Sequence, residues 1–231
     1  MRAPMRPYTV VFSTETVDGR IADPIGFSRL SCDEDFELLH RLRAWADAVM
    51  VGAGTVLADD PSLTVRLAVG MSPIRVILDG ELRAPPTARV FEVPARSAIV
   101  TRRGHPEERL SPYRERGVTI IETGSESGVD LLEAMDILSG GLGVRRLLVE
   151  GGGQTAYSLL REGLVDELWV TVAPYVFGAG TPLVGGRAQE GLRVRLYLNS
   201  YTVLCGGWVN LRYSVMDRRP LSPEGQIMKP L

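Results

Sequence analysis

Residues 146–160 read RLLVEGGGQTAYSLL. A strand-length apolar run ends in a carboxylate, Glu150, and three glycines then open a helical pattern from Gln154 to Glu162 that Gly163 closes. Strand, glycine turn and helix in immediate succession form the building unit of an α/β fold. Similar β-branched runs recur at 8–13 (YTVVFS), 48–52 (AVMVG), 75–79 (RVILD), 97–101 (SAIVT) and 118–122 (VTIIE), each short enough to be a buried strand. Helical patterns fall between several of them. The clearest is SCDEDFELLHRLRAWA (31–46), in which Ser31 and Glu34 have capping-box spacing and Leu38, Leu39, Leu42, Trp45 and Ala46 form one apolar face. Another runs from Leu131 to Leu138.

The chain then changes character. ELWVTVAPYVF, VRLYLNSYTVL and WVNLRYSVM are strand-like segments with no helix between them, which predicts antiparallel strands at one edge of the sheet. The expected fold is a mixed, mostly parallel sheet flanked by helices, in a single domain over 1–219. Residues 220–231, rich in Pro and polar groups, are expected to form a loose tail.

Two ligand chemistries suit the 146–160 stretch. Free amides at a helix N-terminus favour an anion, so Gly151, Gly152 and Gly153 could cradle a phosphate. A tight turn needing positive φ would use the same residues, and the triplet alone does not separate the two. Glu150 adds a constraint. A carboxylate aimed at the same amides as a phosphate would meet a repulsion of about 1 to 4 kcal/mol. Strand alternation turns it to another face, so acid and anion site would serve different ligands.

Composition excludes several classes. Hydrophobic residues make up 45% and charged residues 23%, with a formal net charge of −2, so no global field draws the chain to nucleic acid or an anionic membrane. No apolar run approaches the roughly 18 residues that span a bilayer. The two cysteines, Cys32 and Cys205, stand far apart, which argues against a disulfide framework and for a cytoplasmic setting. His40 and His105 are the only histidines, with no H-x-E or C-x-x-C beside them, and no metal site is expected.

Two further stretches carry polar groups into the same region. VGAGTVLADDPSLTVR (51–66) begins like a dinucleotide fingerprint but has leucine where the third glycine would stand. Thr55 could donate to a phosphate, Asp59 could order the loop or bind a sugar hydroxyl, and Arg66 could clamp a phosphate in bidentate fashion. The plainer reading of Asp59-Asp60-Pro61 is a helix-ending turn. STETVDGRIA (13–22) holds an Asp-Gly turn, after which Arg20 could reach the crevice at the strand ends.

Together these blocks resemble the reductases of riboflavin biosynthesis, which share the dihydrofolate-reductase-like fold. The matching pieces are TVDGRIA (16–22), HRLRA (40–44), DAVMVGAGTVLADDPSLTVR (47–66), PIRVILD (73–79) with LRAP (82–85), VEGGG (149–153) and GLVDELWVTVAP (163–174), in family order. The free-standing chain and its SRLSCDED stretch look most like the archaeal type, which acts on 2,5-diamino-6-ribosylamino-4(3H)-pyrimidinone 5′-phosphate before deamination. The bacterial order of steps would instead give the deaminated uracil.

The resemblance implies NADPH as cofactor, a hydride delivered to C1′ of the opened ribosylamine, and a homodimer. By matched position, Thr14, Thr55, Asp59, Asp79, Gly80, Gly151, Gly152, Gly153 and Gln154 would fall on NADPH. Arg83, Arg102 and Arg103 are candidates for its 2′-phosphate. Arg43, Leu63, Arg66 and Glu150 would fall on the substrate, with Glu150 and Arg20 at the reacting centre. Arg20 would act electrostatically, since arginine does not deprotonate at accessible pH. Two other readings stay open: a pterin reductase on the same fold, and a catalytically silent NADPH-binding module.

Overall fold

A computed structural model describes residues 6–92, 96–185 and 191–216. The expected tail at 220–231 lies outside the described residues. The chain runs β1 (Tyr8–Thr16), β2 (Arg20–Ala22), α1 (Asp33–Trp45), β3 (Ala48–Gly52), α2 (Ala53–Asp59), β4 (Ile74–Leu78) and β5 (Ser97–Arg102). It continues through α3 (Glu107–Arg114), β6 (Thr119–Thr123), α4 (Leu131–Gly140), β7 (Arg146–Val149), α5 (Gly153–Arg161), β8 (Glu167–Ala173), β9 (Thr181–Pro182), β10 (Leu196–Leu204) and β11 (Trp208–Val215).

Among the described residues, nine strands form one sheet in the order β10-β11-β8-β1-β7-β3-β4-β5-β6. From β8 to β6 every neighbouring pair is parallel. β11 joins β8 antiparallel, and β10 joins β11 antiparallel. The antiparallel edge expected of the last three segments is therefore made by β10 and β11, while β8 has a parallel neighbour on its other side. β7 inserts between β1 and β3, so strand order switches there and a crevice opens beyond the carboxyl ends, where ligands of open α/β sheets bind.

Period-two alternation sorts the strand residues into two cores. Val11, Met50, Val76, Val100 and Val149 pack against α4 and α5 through Ala134, Met135, Leu138, Leu159 and Leu160. Val10, Phe12, Val49, Val51, Ile77, Ile99 and Leu148 face the other way, onto Leu38 and Leu42 of α1 and Leu110 and Tyr113 of α3. All five residues of β3 are buried, as a central parallel strand requires.

Several local expectations change. β1 extends to Thr16, so residues 13–16 are strand, and Arg20–Ala22 pairs with β9. Asp60 ends α2 in the left-handed conformation (φ 39°), the helix-ending turn that its sequence suggested. Ser31 and Glu34 form no capping box: Cys32 is the N-cap of α1 and has no side-chain cap bond. Ser31 Oγ instead lies 3.0 Å from Thr14 Oγ1, and Glu34 Oε2 accepts the Cys205 amide. These tertiary partners outcompete the local cap.

The cysteines also need correction, because Cys32 and Cys205 are joined in a disulfide, with their Cα atoms 6.5 Å apart. The turn between β10 and β11 folds onto the start of α1, where Trp208 Nε1 donates to Leu30 O at 2.7 Å. Distance along the chain gave no measure of this approach. Among the described residues no helix is long and apolar enough to cross a membrane.

Candidate active site

The glycine turn lies at the carboxyl end of β7, and its backbone explains its composition. Gly151 and Gly152 both have positive φ, 79° and 81°. A Cβ on Gly152 would stand 3.2 Å from Thr55 Oγ1, and one on Gly153 would stand 2.4 Å from the carbonyl of Pro182. Gly52, at the N-cap of α2, approaches Thr155 of α5 just as closely. The first turn of α2 is thus packed beside that of α5, and neither carries an acidic residue. An anion meeting the N-terminus of α5 encounters backbone amides and the positive end of the helix dipole. The Thr55 hydroxyl borders the same turn.

Glu150 points elsewhere, as alternation predicted, because it shares a strand face with Leu148 and looks toward α1. There it meets Arg43. Arg43 Nε donates to Glu150 Oε1 and Nη2 to Oε2, each at 2.6 Å, in a bidentate pair whose side chains are only 8% and 10% exposed. Arg43 Nη1 also donates to the Thr64 carbonyl at 3.0 Å. Two residues that sequence reasoning directed separately at the substrate are therefore bonded to each other.

The segment after α2 wraps over this pair. Leu63 is buried with φ 53°, a left-handed conformation that its side chain's burial in the α1-side core offsets. Arg66 is exposed, and its Nη1 donates to Ser62 Oγ at 2.7 Å and Thr64 Oγ1 at 3.1 Å. The backbone at Arg66 is held by His40, a role the sequence did not show, because the histidine and the amide it accepts lie 26 residues apart. Its Nδ1 accepts the Arg66 amide at 2.9 Å. Burial first, then the charges of Arg43 and Arg66, push the imidazole down to about 4. It is the neutral form, with a lone pair on Nδ1, that this bond requires.

Toward the N-terminus of α1, Thr14 Oγ1 donates to Asp35 Oδ2 at 2.6 Å, and Thr171 Oγ1 donates to Asp35 Oδ1 at 2.6 Å. Asp35 is fully buried and was not anticipated. Nearby, a cavity of about 600 Å³ is lined by Phe27, Ser28, Ser31, Phe36 and Asp59, among others. Burial raises the Asp59 carboxyl, and a hydrogen bond from Ser28 partly offsets this.

Arg20 sits beyond the Asp-Gly turn, with its Nε 3.9 Å from Asp18 Oδ2. That nitrogen is buried without a hydrogen-bond partner. Asp18 is occupied with the Thr16 hydroxyl and the amides of Phe177 and Gly178, which hold its carboxyl down to about 2.

After β4, Asp79 uses Oδ2 to accept the Ala84 amide at 2.7 Å, closing its own loop. Gly80 O accepts from Thr101 Oγ1 and His105 Nε2. Of the cations considered for a 2′-phosphate, Arg102 is bonded to Glu81 and Arg103 to Glu133. Arg83 is 56% exposed and only 3.9 Å from Asp79 Oδ1, so it keeps the loosest tie.

A doubly wound mixed sheet, with a phosphate-favouring turn and a buried ion pair at adjacent residues of its switch point, defines the chain as an α/β protein of the open-sheet class. The chain belongs to the RibD C-terminal domain family, whose model matches residues 7–210. It is 40% identical over 207 residues to the 2,5-diamino-6-ribosylamino-4(3H)-pyrimidinone 5′-phosphate reductase of Methanothermobacter thermautotrophicus, covering 86% of this chain and 94% of that one. Identity to the protein of the same name from Archaeoglobus fulgidus is 39% over 192 residues, covering 78% and 86%. Among solved structures, RibD of Acinetobacter baumannii superposes with a TM-score of 0.78 at 26% identity, over 91% of this chain and 58% of that longer one.

Proposed function

We propose that this protein is an NADPH-dependent reductase of 2,5-diamino-6-ribosylamino-4(3H)-pyrimidinone 5′-phosphate, acting as a homodimer. The observation that carries the reading is the adjacency of Glu150 to Gly151: the buried Arg43–Glu150 pair and the phosphate-favouring turn are consecutive along one strand end. A polar substrate on the α1 side and a dinucleotide on the glycine side would meet there.

When bound, NADPH supplies a hydride for C1′ of the opened ribosylamine. The chain's own work is placement and charge. Gly151, Gly152, Gly153 and Gln154 at the start of α5, with Thr55 beside them, receive the pyrophosphate. Thr14, Asp59, Asp79 and Gly80 border the cofactor, and Arg83 meets the 2′-phosphate. On the other side Arg66, with Ser62 and Thr64, receives the ribose phosphate, and Leu63 anchors that segment. Arg43 holds the Glu150 carboxylate in place as an acceptor for exocyclic amino groups of the pyrimidine. Arg20, with its unpartnered Nε, lends positive charge near the reacting centre.

The relatives' printed names support the diamino substrate. A homodimer is supported by the edge strand β10, where Tyr197, Tyr201 and Val203 are exposed. The test is loss of NADPH absorbance with the diaminopyrimidine and deaminated phosphates assayed side by side. No oxidation with either fresh substrate would defeat the reading, and faster turnover of the uracil would reassign the substrate.

A further inference from the structure

His40 is buried on α1, 2% exposed, and among the described residues it neither forms an ion pair with an acid nor belongs to a metal-ligating group. What it does hold is a stretch of backbone. Its Nδ1 accepts the Arg66 amide at 2.9 Å and lies 3.4 Å from the Leu67 amide. One turn along the same helix, Arg43 Nη1 donates to the carbonyl of Thr64. Two α1 side chains therefore grip segment 62–67 from one side: an acceptor takes its N–H groups and a donor takes its C=O.

The gripped segment carries a cluster of polar side chains. Arg66 Nη1 sits against Ser62 Oγ and Thr64 Oγ1, so one guanidinium and two hydroxyls gather on a single short loop. Its backbone takes a left-handed step at Leu63 (φ 53°), a conformation that persists only where surroundings over-determine it. Leu63's burial supplies one anchor, and the His40 bonds supply another at the far end.

We propose that His40 is a positioning residue for substrate binding: by accepting the Arg66 and Leu67 amides it fixes the 62–67 segment so that Ser62, Thr64 and Arg66 present a preformed group to the substrate's phosphate. This rests on the assignment of that segment to the phosphate under Proposed function. His40 touches no substrate atom in this account. It acts through the backbone of Arg66, so the lone pair on Nδ1 is the property that matters.

The test compares His40→Asn, whose Oδ1 can occupy the Nδ1 position, with His40→Gln, whose acceptor reaches toward Nε2. His40→Gln should raise KM for the diaminopyrimidine phosphate about tenfold, the worth of one lost hydrogen bond. NADPH KM should be unchanged and kcat little affected, while His40→Asn should stay near wild type. In parallel, hydrogen exchange at the Arg66 and Leu67 amides should speed up in His40→Gln and not in His40→Asn. Equal substrate KM in the two variants, or a loss that falls equally on NADPH and substrate, would overturn the positioning role. So would unchanged amide exchange in His40→Gln. A wild-type protein that oxidises no NADPH with the pyrimidine phosphate would defeat the functional reading, and the phosphate assignment with it. The exchange experiment needs no turnover and would still judge whether His40 holds the segment.

Discussion

The guanidinium of Arg43 meets the carboxylate of Glu150 through two hydrogen bonds of 2.6 Å, from a helix on one face of the sheet to the tip of its central parallel strand. The pair is buried, and the next residue begins the glycine turn. A buried bidentate pair fixes both side chains, yet it contributes little net stability compared with well-packed apolar residues of the same volume. Its value lies in orientation.

Breaking the pair from the arginine side should therefore cost far more than the pair itself is worth. Arg43→Met leaves the Glu150 carboxylate buried and unpartnered, and we expect a loss of about 3–5 kcal/mol. Urea unfolding at neutral pH measures it. A loss below about 1 kcal/mol would mean that water reaches the carboxylate.

Glu150→Gln keeps the shape and one acceptor oxygen but removes the charge. Turnover should fall by about tenfold or more, and the NADPH dissociation constant should stay within about twofold, because the acid and the glycine turn face different ligands. Steady-state kinetics and a fluorescence titration with NADPH separate the two. A weakened dissociation constant with an unchanged rate would place Glu150 on the cofactor instead.

At Gly152, a side chain must adopt φ 81° and place its Cβ 3.2 Å from Thr55 Oγ1. Gly152→Ala should destabilise the fold by about 1–3 kcal/mol through its positive-φ backbone alone. It should also weaken NADPH binding, since the same turn presents the amides. Gly54→Ala, where a Cβ meets nothing within 4 Å, is the control. Equal effects of the two on NADPH affinity would argue against a phosphate at the turn.

Cofactor preference should depend on Arg83 more than on Arg102 or Arg103, whose guanidiniums are already bonded to Glu81 and Glu133. A charge-assisted bond is worth about 1.5–3 kcal/mol, so Arg83→Ala should raise the NADPH dissociation constant roughly tenfold to a hundredfold and leave that of NADH nearly unchanged. Parallel titrations with both nucleotides decide. Equal losses for both would remove Arg83 from the 2′-phosphate.

Acid should weaken the fold through His40, whose imidazole is lowered from 6.5 to about 4 by burial and by the charges of Arg43 and Arg66 that face it. The folded value lies below the unfolded one, so the unfolded chain takes up the proton first as pH falls. The stability of the neutral imidazole is complete above about 6.5, declines between 6.5 and about 4, and changes no further below that. Urea midpoints at neutral pH and midway through this window should differ more in wild type than in His40→Asn, which has nothing to titrate there. Identical differences would assign the acid sensitivity to other groups.

Much of the architecture was legible because its signals are local. Short β-branched runs and glycine-closed helices mark β1, β3, β4, β5, β6, β7 and α5 within about two residues of their positions, except that β1 continues three residues further, to Thr16. α3 gave no such signal, since it contains Pro112 and buries only Leu110 and Tyr113. β2 and β9 are three and two residues long and exist only because they pair with each other. A sequence window that sees one of them cannot see its partner.

The same division runs through the site. The glycine turn at a strand end, the turning of Glu150 to a different face from the glycine amides and the collection of polar residues at 59–66 were all readable locally, because backbone conformation and strand alternation are properties of neighbouring residues. What those groups touch depends on contacts between distant parts of the chain. Arg43 and Glu150 are 107 residues apart, and Arg66 and His40 are 26 apart. Cys32 and Cys205 are 173 apart, and their spacing had argued against the bond they form. Such pairings follow from the order in which strands enter the sheet and the face onto which each helix packs, and that order is set by burial of the whole core.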